Sequence, residues 1–165
     1  MDGITIKIKE IKDGNRRKLY KRQGTRFALV VRVSSKEGFS PTFTSSTLSE
    51  KLFGSGGNTT RSGFSSCSGG KLDFAPAVGN NIVNGVMELT IPQNVKDVGW
   101  KSVQHYVTGE LYNSGVSMAD HDNIVIVLPS QVDFQGAAAW AYVSYNIGVF
   151  KDTFIRYQLV MVSGN

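Results

Sequence analysis

Three features of this 165-residue chain predict an α/β fold of the α+β kind, a mixed twisted sheet with flanking helices. Phe27 to Val33 (FALVVRV) is a near-continuous β-branched and aromatic run, the pattern of a central strand covered on both faces. Ile124 to Leu128 (IVIVL), ended by Pro129, reads as a second buried strand. Between them Val95, Val98, Val103, Tyr106, Val107 and Leu111 recur at helical intervals, which predicts an amphipathic helix from Val95 to Tyr112 despite Gly99 and Gly109.

The remaining elements follow in chain order. Ile4, Ile6 and Ile8 alternate with polar residues, as a short strand would, before the Asp13-Gly14-Asn15 turn. Ser45 or Ser46 offers an N-cap for a two-turn helix over Thr47 to Phe53, with Leu48, Leu52 and Phe53 on one side and Gly54 as the stop. Residues 54–70 are almost all Gly, Ser and Thr, and the short apolar runs on either side make them a long surface loop within one domain. Lys71 to Ala75 and Val86 to Ile91 read as strands, with turn signals at Asn80-Asn81 and Asn84-Gly85. Ala138 to Phe150 gives one or two further strands, broken near Asn146-Ile147-Gly148.

Composition narrows the function classes. A content of 41% hydrophobic and 10% aromatic residues, with Gly 18 and Pro 4, suits a globular β-rich protein of one domain. The formal net charge of +5 is confined to the start of the chain. Lys7, Lys9, Lys12, Arg16, Arg17, Lys18, Lys21, Arg22 and Arg26 stand there against Asp2, Glu10 and Asp13, and acids slightly outnumber bases in the rest. Only Tyr20 accompanies these charges, so those through Arg22 read as a solvated lead-in segment over residues 1–23 rather than a nucleic-acid surface. No apolar run approaches the roughly 18 residues of a membrane span, and the alternating start is unlike a signal peptide. Cys67 is the single cysteine and forms no internal disulfide.

Several short motifs stand in a fixed order: LVVRV at Leu29 to Val33, LSEKLFG at Leu48 to Gly54, Cys67-Ser68 followed by KLDFAPA at Lys71 to Ala77, and NGVMELTI at Asn84 to Ile91. The run from Asp120 follows, with Leu128-Pro129, Ala141-Tyr142 and Val149-Phe150-Lys151-Asp152. In this order they resemble the gametolysin-like metallopeptidases, peptidase family M11. The resemblance implies a zincin or metzincin-like N-terminal subdomain over residues 24–165, and for intact members zinc-dependent cleavage of extracellular matrix or cell-wall glycoproteins. It implies an extracellular location and a protein or glycoprotein partner. It also implies that Ala139, Trp140, Ala141 and Tyr142 belong to the edge strand that holds extended substrate through its backbone. The same small residues equally suit close packing beneath a helix.

The family's chemistry needs HExxH, two histidines one helical turn apart holding Zn²⁺ with a glutamate as general base. Here the chain runs from Tyr157 to Asn165 where that helix is expected. His105 and His121 lack a histidine at i+4, and Val127 and Ile155 stand where relatives carry cysteines. The expectation is therefore a partial domain with no catalytic or metal-ligating residues and no bound cofactor, inactive by itself. A non-catalytic peptide- or glycan-binding domain is the alternative. The resemblance also suggests self-association, through apolar surface left bare at Trp140, Tyr142, Val149 and Phe150.

Overall fold

The computed structural model describes residues 23–137, 139–141 and 147–152. The Ile4, Ile6 and Ile8 strand and the basic run through Arg22 lie outside the described residues, as do Tyr142 and residues 153–165.

The β-branched run becomes β1 (Gly24–Ser35), and every other parallel pairing is built outward from it. On one side β1 pairs first with β2 (Leu72–Pro76) along Gly24 to Ala28, then with β4 (Val86–Ile91) along Val30 to Ser35. On the other it pairs with β5 (Asn123–Leu128) along Ala28 to Arg32. β7 (Ile147–Lys151) continues the parallel sheet beside β5, and β6 (Ala139–Ala141) runs antiparallel to β7. The short β3 (Ile82–Val83) pairs antiparallel with β4, giving the order β3-β4-β1-β5-β7-β6 with β2 pairing β1 off this path. Asn84 and Gly85 link β3 to β4 at φ 50° and 81°, the left-handed backbone that a two-residue hairpin requires. Gly85 has a second reason to be glycine: a Cβ there would lie 2.5 Å from the Phe53 ring and 2.7 Å from Pro76.

Strand alternation sends successive residues to opposite faces, and both faces are apolar. Leu29, Val31, Val33, Ile124, Ile126, Leu128 and Val149 meet Trp100, Val103, Val107 and Leu111 of α3 (Trp100–Asn113). Ala28, Val30, Val125, Val127 and Phe150 meet Leu48, Leu52 and Phe53 of α1 (Ser45–Phe53). On that second face Phe74 stacks on Phe53 and on Phe64 of α2 (Thr60–Cys67), with ring centroids 5.6 Å and 5.0 Å apart. Burying each aliphatic or aromatic side chain of this kind contributes about 1.5–3 kcal/mol. The result is a mostly parallel sheet between two helical layers.

Besides the N-cap of α1, which is Thr44 rather than Ser45 or Ser46, three expectations need correction. The Gly/Ser-rich stretch is not all loop, because Thr60–Cys67 is helical. Thr59 caps α2 through a reciprocal box, its side chain accepting from Ser62 N while the Ser62 side chain accepts from Thr59 N, and this supplies the start signal that composition hides. The long helix begins at Trp100 rather than Val95. Asp97 lies at φ 58°, and Gly99 bridges in parallel to Asp133, so the backbone of 95–99 is held extended or turned while Val95 still reaches the core. Finally, Val149 is fully buried and Phe150 is only 6% exposed, so neither leaves apolar surface bare. The two helical layers already cover them, one residue from each side of the strand.

Candidate substrate-binding edge

β6 ends the sheet, so among the described residues no strand pairs with its outer side. Its inner side pairs Ala139 with Phe150, Trp140 with Val149 and Ala141 with Gly148. Ala139 is half-buried and packs against the α1-face core. The side chains of Trp140 and Ala141, and all of Tyr142, lie outside the described residues. An outer edge of this kind offers backbone N–H and C=O groups to an extended chain laid alongside it.

The segment leading into β6 is held down firmly. After Pro129 ends β5, Val132 and Phe134 turn inward and are buried at 1% and 2% exposure among the α3-face residues. Asp133 N donates to Val98 O at 2.9 Å and Trp100 N donates to Asp133 O at 2.9 Å, strapping this segment to the start of α3. The chain then reverses through Gln135 and Gly136, both at positive φ, and Ala137 N closes the turn onto Phe134 O at 3.0 Å. Gln135 N donates to Asp133 Oδ1 at 2.7 Å within the same turn.

At the carboxyl end of β7, Asp152 is fully buried. Its Oδ2 accepts from Thr42 N at 2.8 Å and from Thr42 Oγ1 at 2.7 Å. From the strand side, Arg32 Nε donates to Phe43 O and Nη2 to Pro41 O, both at 2.7 Å. The loop 41–43 is thus bracketed by a guanidinium and a carboxylate, which sets Thr44 as the N-cap of α1. Buried charges persist only with such hydrogen bonds. Asp152 Oδ1, Ser35 Oγ, Gln93 Oε1 and Gln131 Oε1 are buried oxygens without a hydrogen-bond partner among the described residues. Each belongs to the last residue of a parallel strand or to a residue one to three positions beyond it, the end of an α/β sheet where ligands characteristically sit.

In the sequence Asp152 is visible only as the end of the Val149-Phe150-Lys151-Asp152 motif, and nothing local singles out Thr42. A charged residue inside the run FALVVRV was the available signal, since an arginine in a doubly covered strand must find partners. His105 is exposed on α3, His121 is half-buried just before β5, and Cys67 is exposed at the end of α2. Beside His121, Asp122 accepts from Phe27 N at 2.9 Å and lies 3.4 Å from Arg26 Nη1, a structural clamp on the start of β1. Among the described residues no three His, Cys, Asp or Glu side chains converge, so these residues do not fit the zinc that the family resemblance implies.

No helix among the described residues is long and apolar enough to cross a membrane. An apolar cleft of about 270 Å³, lined by Thr108, Tyr112, Gly115, Val116, Ser117 and Met118, carries no charged group and so has shape without evident chemistry. Comparison with known protein families, characterised proteins and solved structures found no match to this chain.

Proposed function

We propose that this chain is the N-terminal part of a gametolysin-like zinc metallopeptidase domain of metzincin-like architecture, and that its share of the work is to hold an extended protein or glycoprotein substrate along β6. The observation that carries the reading is the antiparallel strand Ala139–Ala141 at the end of an otherwise mostly parallel sheet, in the residues where the family resemblance calls for a substrate-holding edge. Strand addition there uses backbone groups, and small side chains let the partner approach. Extracellular matrix or cell-wall glycoproteins are the substrates that the resemblance suggests, with an extracellular site of action. On this reading the chain by itself binds without hydrolysing, in keeping with the lack of three converging metal-ligating side chains among the described residues.

The same edge also supports a non-catalytic peptide- or glycan-binding domain, since strand addition needs no metal. One experiment separates the readings from each other and from neither. The purified chain is incubated with gelatin and with hydroxyproline-rich cell-wall glycoprotein, and binding, cleavage and amide hydrogen exchange are followed together. Retention of either polymer with slowed exchange at residues 139–141 and no new fragments is the expected result. Binding without protection at β6 removes the edge from the account, and cleavage abolished by a chelator shows a zinc centre that these residues do not supply. If the frame extended past Asn165 cleaves while the present chain only binds, the peptidase reading gains over the binding-domain one.

A further inference from the structure

We propose that Asn58 is an acceptor for an N-linked glycan, attached before the chain folds. The triplet Asn58-Thr59-Thr60 has the Asn-x-Thr pattern recognised by oligosaccharide transfer, and no other asparagine here is followed two residues on by Ser or Thr. The inference rests on the secreted location that belongs to the proposed function.

The structure gives the triplet two different environments. Asn58 is exposed in the turn between α1 and α2, and its side chain takes part in no hydrogen bond among the described residues. The turn does not depend on it. Thr59 Oγ1 reaches Gly54 O at 3.0 Å and Gly56 O at 3.2 Å, and Ser62 Oγ reaches Gly57 O at 2.9 Å. A Cβ on Gly57 would meet nothing within 4 Å, and one on Gly56 only the Thr59 methyl at 4.0 Å, so space around the tip is open. Asn58 therefore stands on an exposed, uncrowded tip. α2 packs on β2, and β2 lies on the opposite side of β1 from β5, because Ala28 pairs with Pro76 on one side and Asn123 on the other. The glycan thus stands at the end of the sheet away from β6 and leaves the edge open.

Thr60 is the reverse case. It is the first residue of α2 and only 7% exposed. Transfer requires an extended acceptor, and in the folded chain Thr60 is held in the first turn of a helix with little of the residue exposed. The donor is a polyprenyl-diphosphate-linked oligosaccharide. Asn58 Nδ2 forms a bond to the anomeric carbon as its bond to the diphosphate oxygen breaks, the polyprenyl diphosphate leaves with the electron pair, and Nδ2 loses one proton. All of this must precede closure of α2.

The test is secretion of the full chain behind a cleavable leader in a eukaryotic host. The expected product carries a single glycan, removed by peptide N-glycosidase with an Asn58→Asp mass signature, absent from Asn58→Gln and Thr60→Ala, and retained in Thr60→Ser. Asn58→Gln touches no bond of the fold, so its product should be secreted with unchanged thermal midpoint. In a second arm, unmodified chain from bacteria meets purified transferase and lipid-linked donor. A peptide covering residues 55–63 should be glycosylated and the folded chain should not. A secreted wild-type product without glycan overturns the acceptor, and a folded chain modified as fast as the peptide overturns the order of events. Because the leader is supplied by the experiment, either failure leaves the peptidase reading standing, and failure of β6 to bind polymer leaves the acceptor standing.

Discussion

On the α3 face the sheet is closed chiefly by apolar contacts, Val103, Val107 and Leu111 against Leu29, Val31, Ile124 and Ile126, while the α1 side also holds the half-buried Arg32 and the buried Asp152. Apolar contact is non-directional, so it fixes how far a helix stands from the sheet but tolerates repacking. Hydrogen bonds to buried charges are directional and costly to leave unmade. The hydrogen bonds of the second face hold the loop 41–43 in one conformation beside the end of β7. A cohesive layer on one side and a tethered loop on the other leave the same sheet with two differently specified faces.

The comparison breaks most readily at its cohesive side. Ile126→Ala should cost about 2–5 kcal/mol, since Ile126 is fully buried in the middle of β5 and its neighbours cannot all collapse into the space. Thermal unfolding reads this as roughly 2–4 °C per kcal/mol for a domain of this size. Asp152→Ala should cost about 1–3 kcal/mol, because it removes the acceptor of two Thr42 donors. Asp152→Asn should recover part of that loss, since an amide oxygen still accepts from both. Equal losses in the two variants would mean that charge, and not the hydrogen bonds to Thr42, holds the loop. Amide exchange at residues 41–44 should accelerate in Asp152→Ala and stay slow in Ile126→Ala at matched stability.

Two smaller effects sharpen the contrast within the α1 face. Thr59→Ala removes the cap of α2 and should cost about 1 kcal/mol, seen as a lower urea midpoint with unchanged slope. Arg61→Ala breaks a bidentate pair with Asp73 at 2.8 Å and 3.1 Å, but both side chains are more than two-fifths exposed. Solvent screening should limit that loss to about 0.2–1 kcal/mol, and added salt should erase most of it. A loss larger than that of Thr59→Ala would show that this surface pair, and not the cap, secures α2 against β2.

What the sequence determined by itself is whatever is written in runs and periods. The central strand is legible at Phe27 to Val33 because β-branched residues buried on both faces leave no polar interruption except Arg32. Val86–Ile91 and the stop at Gly54 are equally local, each set by alternation or by a breaking residue. α2 escaped notice because its helix signal is a cap at Thr59 and Ser62 inside a composition that favours loops, and Phe64 becomes informative only once Phe74 lies beside it. The start of α3 is decided by a partner distant in sequence: Asp133 draws residues 97–99 out of helix through hydrogen bonds that no local pattern announces. The clamp of Asp152 on Thr42 spans 110 residues, and the place of Ala139–Ala141 at the sheet's end follows from β7 pairing with β5. Periodicity is a property of neighbours in the chain and can be read there, whereas an edge, a buried counter-group and a covered face are defined by which distant segments meet, and that is settled only when the sheet assembles.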